Sequence, residues 1–196
     1  MEVHGAVAIA QPATARDDQY LVALAVTSQD TAAFGELIRR HQSQVRNFLR
    51  KLTNGSIDEA DDLAQECFLH AWDKLQTYSG RGSFIGWLLK VAYTTFLQSK
   101  RKSKRYSEVL QEAGHVADQE SRSYTENSEE VSDLGKLLAV LTEEERAIMV
   151  MSYACGLSHR EIGDATGLPV GTVKSIIFRG KEKIRTSFDI KDHQHG

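Results

Sequence analysis

The sequence predicts an all-α protein, two small helical domains joined by a flexible acidic linker, and three observations carry that prediction. Apolar residues recur at helical spacing along most of the chain, with no strand-like alternation and no internal repeat. Only two prolines interrupt 196 residues, so long helices can run unbroken. An acidic stretch without periodicity, 106–131, separates the two periodic regions.

Taken in order, Met1 to Arg16 is alanine-rich without an apolar stripe and reads as a mobile N-terminal arm with no assignable chemistry. The first domain, 17–105, opens with a short helix carrying Tyr20, Leu21 and Leu24. A long helix follows with Phe34, Leu37, Ile38, His41, Val45, Phe48, Leu49 and Leu52 on one face, Asp30 as its N-cap and Asn54-Gly55 as its stop. The next helix starts near Ser56 or Asp58 and reaches about Lys74. Leu63, Cys67, Phe68 and Trp72 form its apolar side, and Asp61, Asp62, Gln65 and Glu66 fill much of the other.

Tyr78, Ser79, Gly80, Arg81 and Gly82 make a turn, since two glycines and a serine oppose a helix. Ser83 caps the following helix, whose apolar side is Phe84, Trp87, Leu88, Val91, Ala92 and Phe96 and whose end is the run Lys100 to Arg105. Aromatics interleaved with cations suit single-stranded nucleic acid, where rings stack on unpaired bases and cations hold phosphates. Phe84 and Trp87 have the spacing of core residues, which leaves Tyr93 as the expected base-contacting ring.

Beyond the linker, the second domain spans 132–188 and the polar tail 189–196. Leu134, Leu137, Leu138 and Leu141 mark a short helix. Thr142 and Glu145 form a capping box that opens a helix buried through Ala147, Ile148, Val150, Met151 and Ala154 and ended by Gly156. Ser158 and Glu161 form a second capping box. Ile162 and Ala165 face inward, Gly163 admits a close neighbour, and Gly167 supplies the left-handed backbone of a sharp turn. Leu168, Val173, Ile176 and Ile177 recur on the helix that follows, opposite Thr172, Lys174, Ser175, Arg179, Lys181 and Lys183. This is a helix-turn-helix, placed at His159 to Phe178, whose second helix mixes hydrogen-bonding and phosphate-pairing groups as a groove-reading helix does.

The net charge of -3 suits a DNA-binding chain only when its distribution is read. Lys90 to Arg105 holds six cations and no acid, whereas Glu108 to Asp133 holds eight acids and one arginine, Arg122. Cys67 and Cys155 lie far apart inside apolar patterns, which argues against a disulfide framework and for a reducing cytoplasm. Cys67 and His70 stand one turn apart, but a closed zinc site needs about four ligands and no second pair is evident. No metal, cofactor or catalytic residue is therefore expected. Ala6 to Ala10 is too short for a signal peptide, and no run nears the ~20 apolar residues that span a bilayer.

From about Asp17 to Arg185 the chain resembles the extracytoplasmic-function (ECF) group of bacterial sigma-70 family sigma factors. Three segments carry the resemblance: ADDLAQECFLHAWDKL at Ala60 to Leu75, SFIGWLLKVA at Ser83 to Ala92, and GLSHREIGDATGLPVGTVKS at Gly156 to Ser175. The resemblance implies a promoter-melting domain tethered to a promoter-binding domain. It implies that Asp61, Asp62, Leu63, Gln65, Glu66 and Phe68 grip core RNA polymerase, through a coiled coil of its largest subunit, with the beta and beta-prime subunits as partners. Tyr78, Ser79, Gly80, Arg81, Lys90, Tyr93, Thr94, Lys100 and Arg101 would serve the -10 element, the loop capturing a base flipped from the nontemplate strand. Arg160, Thr172, Lys174, Ser175, Arg179 and Lys183 would serve the -35 element.

Two departures from the family pattern bear on promoter preference. Thr94 and Gln98 stand where members often carry Asn and Asp, and Ile176 stands where many carry a basic residue. The function so implied is a transcription initiation factor that binds core polymerase and double- and single-stranded promoter DNA, held in check by an anti-sigma factor. Membrane contact would come only through a membrane-bound anti-sigma partner. The alternatives are a stand-alone helix-turn-helix repressor or activator, and a nuclease using Asp61, Asp62 and Glu66. The first needs a dimer interface and leaves the aromatic-cationic helix unexplained. The second fails because those carboxylates spread around a helix instead of converging.

Overall fold

The computed structural model describes residues 13–112 and 133–192, all of them in helices or in the turns between helices. The first half contains α1 (Ala13–Thr27), α2 (Thr31–Leu52), α3 (Ile57–Lys74) with a closing 3-10 turn (Leu75–Thr77), and α4 (Phe84–Glu112). The second contains α5 (Asp133–Leu138), α6 (Glu143–Tyr153), α7 (His159–Thr166) and α8 (Val170–Asp192).

Local chemistry sets the boundaries. The Asp30 carboxylate accepts from the amides of Ala32 and Ala33 at 2.9 and 3.1 Å, which starts α2. Asn54 and Gly55 take positive φ, and the Gly55 amide turns back to the Arg50 carbonyl at 2.8 Å, which stops it. Ser56 caps α3, with Asp58 and Glu59 favourably placed in its first turn.

In the first half, α2, α3 and α4 enclose a core of Leu37, Val45, Phe48, Leu49, Leu63, Ala64, Cys67, Leu88, Leu89, Ala92 and Phe96. Each large side chain removed from water there contributes about 1.5–3 kcal/mol. Burial pushes the Cys67 thiol up to about 12, so it is a small apolar core residue and not a nucleophile. The buried Asp18 on α1 is paired with Arg40 at 3.3 Å and His41 at 2.8 Å on α2, which fastens α1 to the bundle. In the second half, Ile148 and Met151 of α6 pack with Ile162 and Ala165 of α7 and with Val173, Ile176 and Ile177 of α8.

Three expected boundaries move. The first helix starts at Ala13, not Asp17, and the arm's first twelve residues lie outside the described ones. The fourth helix runs past Arg105 to Glu112, into the expected linker, because nothing between Tyr106 and Glu112 breaks a helix and Gly114 is the first residue that would. The last helix reaches Asp192, into the expected tail. Of the linker, 113–132 lie outside the described residues, as do 193–196 of the tail.

The two halves touch, α2 against α6 and α4 against α7. The buried Arg146 of α6 donates from one terminal nitrogen to the Asn54 side-chain oxygen and from Nε to the Leu138 carbonyl at 3.2 Å.

Two glycines are expected to respond oppositely to alanine. A Cβ at Gly163 would lie 2.9 Å from the Leu168 carbonyl oxygen, so Gly163→Ala should cost about 1–3 kcal/mol in urea unfolding. A Cβ at Gly35, inside α2, meets nothing within 4 Å, and Gly35→Ala should gain about 0.5–1 kcal/mol.

Candidate nucleic-acid interface

The turn before α4 is held from both sides. Tyr78 donates its hydroxyl hydrogen to the Gly82 carbonyl at 3.1 Å, closing the loop across Ser79, Gly80 and Arg81. Its ring packs against Phe84 with centroids 5.5 Å apart and against Trp87 at 5.9 Å. The Gln19 side-chain amide of α1 reaches the Gly80 carbonyl at 3.4 Å. Phe84 is buried, as its spacing predicts, and Trp87 is half-buried with its indole N–H on Thr77 Oγ1 at 3.3 Å. A rigid aromatic floor thus carries a loop whose Ser79 and Arg81 side chains face solvent.

Tyr93 departs from expectation. It is buried, not presented for stacking, and its phenol is raised by that burial and by the nearby Glu144 and Glu143 of α6. The second half therefore covers the ring assigned to a base. Lys90 and Arg101 on the same helix remain exposed. Thr94 is half-buried and donates its hydroxyl to the Lys90 carbonyl at 2.9 Å, and Lys100 sits 3.6 Å from Glu59 and over the Phe96 ring.

Where α4 meets α7, the two halves share one carboxylate. Glu161 Oε2 accepts from the Ser158 hydroxyl at 2.8 Å and amide at 3.0 Å, completing the capping box of α7. Its other oxygen, Oε1, accepts from the Ser83 hydroxyl at 2.5 Å and amide at 3.3 Å, at the start of α4. Ser83 Oγ in turn accepts from the Gly86 amide at 3.2 Å. Gly86 leaves room for this, since a Cβ there would lie 3.3 Å from Glu161 Oε1. Burial alone would raise the Glu161 carboxyl; the hydrogen bonds from Ser83 and Ser158 outweigh it and hold the group below its ordinary 4.5.

The helix-turn-helix forms over the expected residues, with Gly167 left-handed at φ 80°. On α7 and α8, Arg160, Lys174, Ser175 and Arg179 are exposed and Thr172 is half-buried. Ile176, where a cation is common in the resembled family, is buried under α8, so that position serves the core here. Lys183, expected at the DNA, also bonds Glu145 of the α6 capping box at 2.7 and 2.8 Å, which ties α8 to α6 while its side chain stays 44% exposed. Phe178, missed in the sequence, stands exposed on the face of Lys174 and Ser175. Its spacing of four and three from them was the available signal.

On α3, Asp62, Gln65 and Glu66 face solvent together, while Leu63 is core, Phe68 is half-buried and Asp61 is paired with Arg46. Leu69, also missed, completes the stripe at the seventh position after Asp62 and is 69% exposed. A bare leucine ringed by carboxylates and an amide is the composition of a protein-docking anchor within a polar rim.

Comparison with known proteins gives two successive matches along the chain. Residues 37–106 match the family described as Sigma-70 region 2, and 132–184 match Sigma-70, region 4. The chain is 30% identical over 159 residues to the ECF RNA polymerase sigma factor RpoE of Cereibacter sphaeroides, covering 80% of this chain and 87% of that one. It is 33% identical to the ECF RNA polymerase sigma factor SigE of Mycolicibacterium smegmatis, over 78% of this chain and 60% of that one. Its fold is similar to the sigma factor RpoE solved in complex with the anti-sigma factor NepR from Bartonella quintana, with a TM-score of 0.65 at 22% identity, over 80% of this chain and 97% of that one.

The Glu161 junction has a pH signature. A carboxyl held low in the folded protein contributes stability that is full above its unfolded value and is lost as pH falls through its folded one. Glu161→Gln preserves the shape of the cap and removes the charge. At pH 7 the variant should be less stable by about 1 kcal/mol, discounted for partial exposure. In urea unfolding the difference from the parent should shrink as pH falls below 4.5.

Proposed function

Because the chain belongs to the sigma-70 family, in its ECF group, we propose that it is a transcription initiation factor that recruits core RNA polymerase to promoters and opens them. The observation that carries this reading is the exposed Asp62–Gln65–Glu66–Leu69 face of α3, whose other side is core. A regulator that only bound DNA would have no use for it. The carboxylates give register and association rate to a basic partner surface, and Leu69 gives affinity. Core polymerase, through its beta and beta-prime subunits, is that partner.

In this reading the loop Tyr78 to Gly82 takes a base flipped from the -10 element, over the aromatic floor of Tyr78, Phe84 and Trp87. Flipping costs a few kcal/mol of unstacking, which pocket contacts must return. Lys90, Lys100 and Arg101 hold the strand, while Arg160, Thr172, Lys174, Ser175 and Arg179 read the -35 duplex. The chain supplies no bond-breaking step of its own. It works in the cytoplasm, where polymerase is, and an anti-sigma factor restrains it, as one accompanies the structurally similar RpoE.

The packed arrangement is a resting form in this scheme. The loop and the helix-turn-helix meet at the Ser83–Glu161 hydrogen bonds, yet the two promoter elements lie ~25 base pairs apart, on the order of 85 Å along a duplex. Both cannot be engaged until α4 and α7 part. Separation also uncovers Tyr93 and returns it to the strand-facing role that its place on α4 suggests.

Two measurements test the scheme. In run-off transcription with core polymerase on genomic DNA, the protein should create new start sites, and Asp62→Lys or Leu69→Lys should abolish them by weakening core binding at least tenfold, about 1.4 kcal/mol or more. No new start sites, together with tight binding of the protein alone to a palindromic duplex, would leave a stand-alone regulator. Energy transfer between labels on α2 and α8 should fall when the protein joins polymerase and promoter; unchanged transfer would remove the resting form.

A further inference from the structure

Two polar contacts lead from α1 to the turn before α4, and neither serves to fill the core. In the first, the buried Asp18 carboxylate holds His41 Nε2 at 2.8 Å, and the His41 ring lies against Phe84 of the aromatic floor with centroids 5.4 Å apart. Asp18 also bears on Tyr78: burial raises the Tyr78 phenol first, the Asp18 and Glu161 charges add to it, and the hydroxyl stays a donor to the Gly82 carbonyl. In the second, the Gln19 side-chain amide donates to the Gly80 carbonyl at 3.4 Å, across 61 residues of sequence. Asp18, Gln19, His41, Gly80 and Phe84 all belong to the first half, so neither contact depends on the packing of α4 against α7.

The Gln19 contact falls where the loop is least restrained. Gly80 takes a φ of 73°, and a Cβ there would meet nothing within 4 Å, so packing does not decide which way the Gly80–Arg81 peptide faces. A trans peptide is planar, with its carbonyl and its N–H directed oppositely. Holding the Gly80 oxygen toward α1 therefore turns the Arg81 amide away from α1, and among the described residues that amide has no hydrogen-bond partner. A free donor held in one direction on an exposed loop is a recognition group. Flipped bases are read by hydrogen bonds to their edges, and every base carries a ring nitrogen or carbonyl oxygen that accepts.

We propose that Gln19 is a positioning residue for base capture: by holding the Gly80 carbonyl against α1 it aims the Arg81 backbone amide at a hydrogen-bond acceptor of the flipped base. Asp18, through His41, steadies the floor on which the same loop rests. This rests on the sigma-factor reading and brings α1 into the melting machinery. Gln19 acts through the peptide it holds and not by touching the strand.

The test uses holoenzyme assembled from core polymerase and the full-length protein. It compares binding of a single-stranded -10 oligonucleotide with binding of the same strand made abasic at the position where loss of the base weakens the parent most. Gln19→Met keeps the length of the side chain and removes the donor. It should lower affinity for the intact strand about three- to tenfold, the worth of one hydrogen bond, and leave affinity for the abasic strand unchanged. Gln19→Lys, which keeps a donor, should retain most of the parent's preference for the intact strand. Unchanged affinity of Gln19→Met for the intact strand overturns the proposal. An equal loss on both strands, with a lowered urea midpoint of the free variant, overturns it in favour of general support for the fold, and a loss in Gln19→Lys as large as in Gln19→Met overturns the donor role. A parent holoenzyme that initiates at promoters but is weakened by no abasic position removes base capture by this loop, and the positioning role with it. A parent that creates no start sites is instead a failure of the sigma-factor reading itself.

Discussion

The carboxylate of Glu161 is the constraint on which the arrangement of this molecule depends. One of its oxygens closes the N-terminus of α7, and the other closes the N-terminus of α4, 78 residues away in sequence. Both helix starts present unpaired amides and the positive end of a helix dipole, so a single anion between them satisfies two separate needs. The helix that follows the Tyr78–Gly82 loop and the first helix of the helix-turn-helix are thereby aligned to one point. Gly86 is part of the same design, since any side chain there would crowd the carboxylate. The Arg146 contact to Asn54 places a second polar tie at the other end of the interface, where α6 meets the close of α2.

Much of this was legible in the sequence, and what was legible was local. Caps at Asp30, Ser56, Thr142 and Ser158, the stops at Asn54-Gly55 and Gly167, and the close approach at Gly163 depend on residues within a few positions of each other, and all form. Periodicity identified the cores of both halves for the same reason. The residues whose surroundings the sequence did not show are those whose partners are distant. Lys183 sits on the polar side of α8 and looks free until α6 folds beneath it and Glu145, 38 residues earlier, takes its charge. Tyr93 shows helical spacing compatible with exposure, and only the docking of the second half buries it. Leu69 and Phe178 were visible as apolar residues on polar faces, but pattern reading searches for polar groups in a binding face and passes over its apolar anchors.

Buried and half-buried aromatics divide the labour around the loop. Phe84 and Tyr78 pack edge to face, and Trp87 closes the cluster from the side, so the loop backbone has little freedom to collapse into the space a base would fill. Preorganisation of this kind shifts the cost of ordering from binding to folding, where the core of α2, α3 and α4 has already met it. The glycines at 80 and 82, both with positive φ, let the chain turn sharply over that floor while the Ser79 and Arg81 side chains stay outward.

The chemistry of the contact between the halves decides how readily it yields. Its hydrogen-bonded ties are one carboxylate on a serine and one guanidinium on an amide, and water can replace each at a net cost of about 1.5–3 kcal/mol. The buried ring of Tyr93 adds an apolar part, and burial with the nearby Glu144 and Glu143 keeps its phenol neutral. A partner that binds only the separated form needs a differential affinity of a few kcal/mol to reverse such an equilibrium. In the proposed scheme, a docking face with an exposed leucine anchor, joined to two DNA surfaces, supplies that difference. In that scheme the packed form shields the loop and Tyr93 in isolation and opens when polymerase and promoter are both present.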